Sequence, residues 1–100
     1  MKTINILVAD HSETSRKELA EFFDKRKDMN LVDSVDNGQD ACESIIHKQP
    51  DLVLLDVVLP VMDGFSVIER INSDPGVAHA PSFICLLYTS PSPRDSTSAR

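Results

Sequence analysis

Residues 52–65 read LVLLDVVLPVMDGF, and this stretch decides the fold class. It begins with an apolar run, Leu52 to Leu55, in which polar and apolar side chains do not alternate. A strand of this kind is buried on both faces, as in a parallel sheet covered by helices. The run ends at Asp56, so an acidic side chain directly follows the buried strand. The pattern predicts a central strand of an α/β protein with a carboxylate at its carboxyl end.

Strand and helix patterns alternate along the rest of the chain. Runs rich in β-forming residues predict strands at 4–9, at 29–35 and from residue 82 to about residue 87. Amphipathic helices are expected from Glu13 to about Lys27, then up to Gln49, and after the loop that follows Asp56. The apolar stripes of these helices consist of Leu19, Phe22, Phe23, Ala41, Cys42, Ile45, Ile46, Phe65, Val67, Ile68 and Ile71.

The order of these elements indicates the architecture. Alternating strands and helices predict an α/β fold with right-handed crossovers, here a flavodoxin-like, doubly wound parallel sheet of about four strands and three helices. Residues 1–84 form the predicted domain. Residues 88–100 are rich in Ser, Thr, Pro and Arg, and we expect residues 85–100 to be a non-native or disordered tail, similar to a translated sequencing adapter.

Composition excludes several classes of function. The formal net charge is −6, which argues against nucleic-acid binding by this segment, because such binding needs a basic face. No apolar run is long enough to span a membrane, and the N-terminus is too short for a signal peptide. Cys42 and Cys85 show no metal-binding spacing and are expected to be reduced thiols. We therefore expect a cytoplasmic protein without a membrane partner.

Two aspartates are candidates for a cation site. Asp10 ends the first strand and Asp56 ends the third, and ligands of open parallel sheets bind beyond the carboxyl ends of the strands. If these strands are neighbours, the two carboxylates converge, and Mg²⁺ relieves their repulsion because it prefers oxygen ligands. A carboxylate beside Mg²⁺ can attack a phosphorus centre. The alternative is that each aspartate only ends a strand or caps a helix.

The loop after Asp56 has a specific spacing. Pro60 lies four residues after Asp56 and Gly64 lies eight after it. Pro60 restricts the backbone, and Gly64 is expected to permit a turn that a bulkier residue would resist. Both spacings resemble the phosphoacceptor loop of bacterial response-regulator receiver domains. An ordinary strand-to-helix connection is the alternative, and the combination of loop and strand order argues against it.

Within that family, the chain resembles the receiver of the sporulation stage 0 master regulator. The resemblance covers residues 1 to about 84. The segments that carry it are Val8–Asp10, Asp28-Met29, Asn37–Gln39, Pro50-Asp51, Asp63-Gly64 and Val67–Arg70.

The resemblance implies a role for each matching residue. Asp56 would form the aspartyl phosphate, Asp10 would be an acid of the Mg²⁺ site, and Val58 would offer its backbone carbonyl to the metal. A histidine kinase or a phosphotransfer protein would be the partner. The chain would be a signalling module of a phosphorelay rather than a turnover enzyme. Its effector would be a missing C-terminal DNA-binding domain that regulates transcription in sporulation.

The chain departs from the family pattern at His11. Receivers usually have two adjacent acids after the first strand, and here the second position is His11. Imidazole is a poor ligand for Mg²⁺ and suits softer metals, so His11 is a doubtful metal ligand and weaker Mg²⁺ binding is expected. The alternative is that His11 is simply a solvated residue at the start of a helix. Thr89 lies near the place of the family's Thr or Ser, but no role is assigned to it.

Other functions remain as alternatives. A pseudo-receiver would be an interaction module that no longer needs phosphate; His11 favours it and Asp56 argues against it. A phosphohydrolase that uses an aspartyl phosphate would have a second acid two residues after the nucleophile, where Val58 stands. A dinucleotide-binding domain is disfavoured because no glycine-rich turn follows the first strand.

Overall fold

The computed structural model describes residues 3–77 and 79–86, which form a four-stranded parallel sheet with three helices. Its strands lie in the order β2-β1-β3-β4, so the first and third strands are neighbours. This confirms the predicted flavodoxin-like class. In chain order the elements are β1 (Ile4–Ala9), α1 (Glu13–Asp24), β2 (Met29–Val35), α2 (Gly38–Lys48), β3 (Leu52–Asp56), α3 (Gly64–Ser73) and β4 (Ser82–Leu86).

The core lies on both faces of the sheet. The cluster of apolar side chains between the sheet and α2 and α3 is larger than the cluster on the side of α1. Both β1 and β3 contribute to each side, which explains why the run at 52–55 shows no polar alternation. The larger cluster comprises Leu7, Ala9, Ala41, Cys42, Ile45, Val53, Leu55, Leu59, Val67 and Ile71, and the smaller one Ile6, Val8, Phe23 and Leu54.

Two phenylalanines assigned to apolar helix faces are exposed instead. Phe22 is 51% exposed and packs edge-on against Phe23, the residue of α1 that is buried. Phe65 is 66% exposed, whereas Val67 and Ile71 are buried. Successive helical residues are about 100° apart, so Phe22 is rotated away from Phe23, and Phe65 is rotated by about 200° from Val67. One face of each helix contacts the sheet, and the rings of Phe22 and Phe65 lie on other faces.

Two boundaries also differ from the sequence predictions. Helix α1 ends at Asp24, three residues before Lys27, and Lys25 is its C-cap. Strand β4 includes Cys85 and Leu86, which pair with Leu55 and Asp56, so the sheet continues past the expected boundary at residue 84. Residues 87–100, which hold the rest of the expected tail and Thr89, lie outside the described residues.

Within residues 3–77 and 79–86, no helix has both the length and the apolar character that a membrane span requires.

Candidate functional site

The predicted pair of aspartates meets at the carboxyl edge of the sheet. Asp10 directly follows β1 and Asp56 is the last residue of β3, and both are 0% exposed. Together with His11 they offer ligand atoms that all lie within 4.8 Å of one another. The expectation that the two carboxylates converge is therefore confirmed, and His11 joins them.

Hydrogen bonds hold Asp56 as a carboxylate. The amide of Val58 donates to Oδ1 at 2.9 Å, and the amide of His11 donates to Oδ2 at 3.3 Å. The Nδ1 atom of the His11 ring also hydrogen-bonds to Oδ2. Burial by itself raises the pKa of Asp56, but these bonds to the charged form outweigh it and hold the pKa below its ordinary value. Asp56 is thus ionised at neutral pH.

His11 is half-exposed, yet its ring faces inward. Its Nδ1 atom lies 3.7 Å from Asp10 Oδ1 and bonds to Asp56. The bond to Asp56 raises the pKa of His11, with further support from the charges of both aspartates and opposition from burial and from Arg16. Sequence reasoning missed this bond. The available signal was that His11 adjoins Asp10 at the same edge where the carboxylates converge.

Arg16 is a second residue that sequence reasoning missed. Its Nη1 atom donates to the backbone carbonyl of Asp10 at 2.7 Å. The Asp10 carboxylate in turn accepts from the amide of Ser12 at 2.9 Å. Ser12 is the N-cap of α1, as predicted, and its hydroxyl accepts from the amide of Ser15. The first turn of α1 therefore fixes the backbone and the side chain of Asp10.

Gly64 is required for a reason other than the one the sequence suggested. No glycine in the described residues has a positive φ, so freedom of the turn is not the cause. A Cβ at Gly64 would lie 2.7 Å from the carbonyl oxygen of Asp56 and 2.8 Å from Val57 Cα. The Gly64 amide donates to the Val57 carbonyl at 3.2 Å. The start of α3 is thus packed directly onto the backbone of the phosphoacceptor candidate.

The middle of the same loop is fixed against α2. The Pro60 carbonyl accepts from the amide of Gly38 at 3.2 Å and from that of Met62 at 2.7 Å. Val61, between Pro60 and Met62, has a φ of 70° and is 79% exposed. A Cβ at Gly38 would overlap the Met62 carbonyl. Close backbone packing therefore holds a β-branched residue in the left-handed region, which such residues rarely adopt.

The donor set fits a divalent cation in part. The carboxylates of Asp10 and Asp56 are the oxygen ligands that Mg²⁺ prefers, and their full burial leaves two like charges together. The His11 nitrogen is a poorer Mg²⁺ ligand. Val58 lies beside the site, with its amide bonded to Asp56 and its side chain 62% exposed. The metal-binding role of its carbonyl stays a prediction.

Comparison with known proteins gives a family match. The family model described as the response regulator receiver domain matches residues 6–95. A protein-glutamate methylesterase/protein-glutamine glutaminase from Geobacillus kaustophilus is 39% identical over 74 residues, which are 74% of this chain and 21% of the relative. A second, from Methanosarcina acetivorans, is 41% identical over 72 residues, or 72% and 20%. The chain thus spans about a fifth of the length of these relatives.

Solved structures give the same result. The response regulator domain of Thermotoga maritima CheB matches with a TM-score of 0.76 at 28% identity, covering 86% of this chain and 61% of that one. The signal receiver domain of the response regulator NarL from Mycobacterium tuberculosis gives a TM-score of 0.74 at 26% identity, covering 91% and 72%. The finer resemblance to the sporulation regulator gains no support from these relatives, because the curated ones carry the methylesterase name.

Proposed function

The chain belongs to the response regulator receiver family, and from that premise we propose that it accepts a phosphoryl group on Asp56 with the help of Mg²⁺. The observation that carries the proposal is the position of Asp56. It is fully buried at the end of β3, faces Asp10, and accepts hydrogen bonds from two backbone amides. A strand-ending aspartate that only capped a helix would not need this arrangement.

The reaction is nucleophilic attack by a carboxylate oxygen of Asp56 on phosphorus. With a phosphohistidine donor, an O–P bond forms and the P–N bond breaks, and the donor imidazole keeps the electron pair and gains a proton from solvent. Because the pKa of Asp56 is low, no deprotonation precedes the attack. The amides of Val58 and His11 orient the carboxylate. Mg²⁺, when bound, neutralises charge on the transferring phosphoryl oxygens.

Asp10 and Asp56 would hold the metal, with the carbonyl of Val58 as a further ligand. The His11 ring hydrogen-bonds to Asp56 Oδ2, so a metal that used this oxygen would have to displace the ring, and we expect Mg²⁺ to bind more weakly than in a receiver with two acids. A histidine kinase or a phosphotransfer protein would supply the phosphoryl group, in the cytoplasm. Such a domain is a switch rather than a turnover enzyme.

The effector is a separate part of the proposal. The curated relatives are named methylesterases and share 39% and 41% identity with this chain. We therefore favour a methylesterase-type effector over the DNA-binding domain that the sporulation resemblance implied. The sequence of the gene downstream of Leu86 decides between the two.

Intact-mass measurement tests phosphorylation directly. The chain is incubated with a small acyl phosphate and excess Mg²⁺, beside Asp56→Asn and the control Asp24→Asn at the exposed end of α1. One phosphoryl increment is expected in the wild type and in Asp24→Asn, and none in Asp56→Asn. A wild type that gains no phosphoryl group at saturating Mg²⁺ would support the pseudo-receiver instead.

A further inference from the structure

The ring of His11 faces the two buried carboxylates. Its Nδ1 atom bonds to Asp56 Oδ2 and lies 3.7 Å from Asp10 Oδ1. Both aspartates are 0% exposed, whereas the outer part of His11 reaches solvent. One nitrogen and two carboxylate oxygens therefore converge within 4.8 Å.

Hydrogen bonds on both sides fix the backbone at His11. The His11 amide donates to the same Asp56 oxygen at 3.3 Å. On the other side, the Ser12 amide donates to Asp10 Oδ1 at 2.9 Å and begins α1. His11 is thus fixed between two residues that are themselves bonded to the site. Its ring needs no large rearrangement to share an ion with Asp10 and Asp56.

The spacing of the three atoms suits one small ion. Zinc-type ions bind imidazole nitrogen and carboxylate oxygen at about 2.0–2.2 Å, so two ligand atoms of one ion lie at most about 4.4 Å apart. The observed limit of 4.8 Å requires only small shifts. Most of the adjustment would be the separation of His11 Nδ1 from Asp56 Oδ2.

The chemistry of the three donor groups determines which metal ion binds more tightly. A neutral imidazole adds no negative charge, so the set carries two charges where three acids would carry three. Mg²⁺ prefers carboxylate oxygens and water as ligands, so its affinity falls most when an imidazole stands in place of a carboxylate. Zinc, cobalt and similar first-row ions bind imidazole well.

We propose that His11 shifts the metal preference of this receiver site from Mg²⁺ toward first-row transition-metal ions of the zinc and cobalt class. The proposal rests on the function proposed above, because it concerns the metal of the same site. The metal preference can be measured by metal binding alone, without any phosphoryl transfer. In this chain, His11 is a specificity-determining ligand.

Equilibrium titration of matched variants tests the preference. Mg²⁺ and Zn²⁺ affinities are measured for the wild type, His11→Asp and His11→Gln, all in a Cys85→Ser background because that exposed thiol can bind zinc. The ratio of the Mg²⁺ Kd to the Zn²⁺ Kd is expected to fall at least tenfold in His11→Asp. In His11→Gln, zinc affinity falls without a gain for Mg²⁺. Metal binding that persists in Asp10→Asn occurs outside this site and is subtracted.

Nitrogen NMR of the histidine rings gives a second readout. Zinc addition is expected to shift the His11 Nδ1 resonance, which is assigned by its loss in His11→Gln. Equal Kd ratios in the wild type and His11→Asp, or a His11 resonance that zinc does not move, would overturn the proposal.

Phosphorylation of the same variants separates the two proposals. If Asp56 is labelled but the Kd ratios are equal, the metal preference fails and the receiver function stands. If no variant is labelled with either ion while the ratios differ as expected, the receiver function fails and the metal preference stands.

Discussion

Two loops leave the same edge of the sheet, and they are held in different ways. The loop after β1, residues 10–12, is fixed by side chains, namely the guanidinium of Arg16 and the carboxylates of Asp10 and Asp56. The loop after β3, residues 57–63, has one such bond, from the Val58 amide to the Asp56 carboxylate, and is fixed in addition by backbone packed against backbone, at Gly64 and at Gly38. Each loop adjoins one aspartate of the site, Asp10 at the first loop and Asp56 at the second.

The difference bears on His11, the position that departs from the two adjacent acids expected of receivers. A loop held by side chains accepts His11 because a new ring can replace one set of hydrogen bonds with another. The second loop is held by close backbone contact that leaves no room for a Cβ at Gly64. Variation in metal chemistry is therefore expected in the first loop, and constraint on shape in the second.

The largest effect is expected from Gly38→Ala. The new Cβ would overlap the Met62 carbonyl, and either α2 or the loop must move. Overpacking typically costs about 1–3 kcal/mol, and overlap with a backbone carbonyl favours the upper end of that range, above the gain of up to about 1 kcal/mol from the better helix propensity of alanine. Urea unfolding measures the loss of stability.

Gly76→Ala is the matched control for that substitution. Its Cβ would meet only the side-chain oxygen of Asp74, at 3.1 Å, and this exposed turn lets the Asp74 side chain shift by a few tenths of an ångström while it still accepts from the Gly76 amide. A change within about 0.5 kcal/mol is expected. If the two glycine variants lost equal stability, close packing would not be what fixes the second loop.

Replacing Arg16 tests the first loop. Arg16→Leu removes the donor to the Asp10 carbonyl and keeps much of the apolar stem. We expect a loss of about 1–2 kcal/mol, because the bond is charge-assisted and partly buried. Lys17→Leu, at the exposed neighbouring position, is expected to change the free energy of unfolding by less than about 0.5 kcal/mol. A loss at Arg16 as large as that at Gly38 would remove the contrast between the loops.

Val61→Asn is expected to stabilise the chain. Val61 has a φ of 70°, a conformation that costs a β-branched residue about 1–2 kcal/mol and that asparagine adopts more readily. A gain of about 1 kcal/mol should appear in the unfolding midpoint. The control Val58→Asn, at an exposed loop position without positive φ, should show no such gain. A loss at Val61 would mean that its side chain makes a contribution beyond its backbone.

The pH dependence of the bond between His11 and Asp56 is the smallest expected effect. The pKa of His11 is raised above 6.5, so its stabilising contribution is complete below that value and is lost as the pH rises through the raised pKa. The pKa of Asp56 is lowered below 3.8, so its contribution is present above that value and is lost as the pH falls through the lowered pKa.

The two signs define a pH window for the measurement. In metal-free buffer, the loss of stability caused by His11→Gln should be greatest between pH 3.8 and pH 6.5 and should shrink in alkaline solution. Unfolding of both proteins across this range provides the comparison. A difference that does not vary with pH would show that the bond does not depend on the charge of the ring.

The features that could be predicted from the sequence are those that follow from the order and the burial of the strands. The buried run at 52–55 indicated a central parallel strand, and the carboxyl ends of neighbouring strands brought Asp10 and Asp56 together. The bond from His11 could not be predicted, because it depends on the direction of one side chain at a loop. Phe65 was assigned to the buried face although helical geometry places it about 200° from Val67, on a side of α3 that is exposed.

The reason for Gly64 was also beyond the sequence. Its spacing from Asp56 was correct, but a close approach of two backbones is a tertiary contact that spacing does not show. Arg16 was missed for a related cause, since a charged residue on a helix is expected in solvent, and its contact with the Asp10 carbonyl depends on how α1 is oriented.

The most direct test of the account is the location of the phosphoryl group. After incubation with a small acyl phosphate and Mg²⁺, borohydride reduction converts an aspartyl phosphate to homoserine, and tandem mass spectrometry of the peptides identifies the modified position. Homoserine at position 56 alone is the predicted result. Modification of another aspartate, or none at saturating metal, would contradict the assignment of Asp56 as the phosphoacceptor.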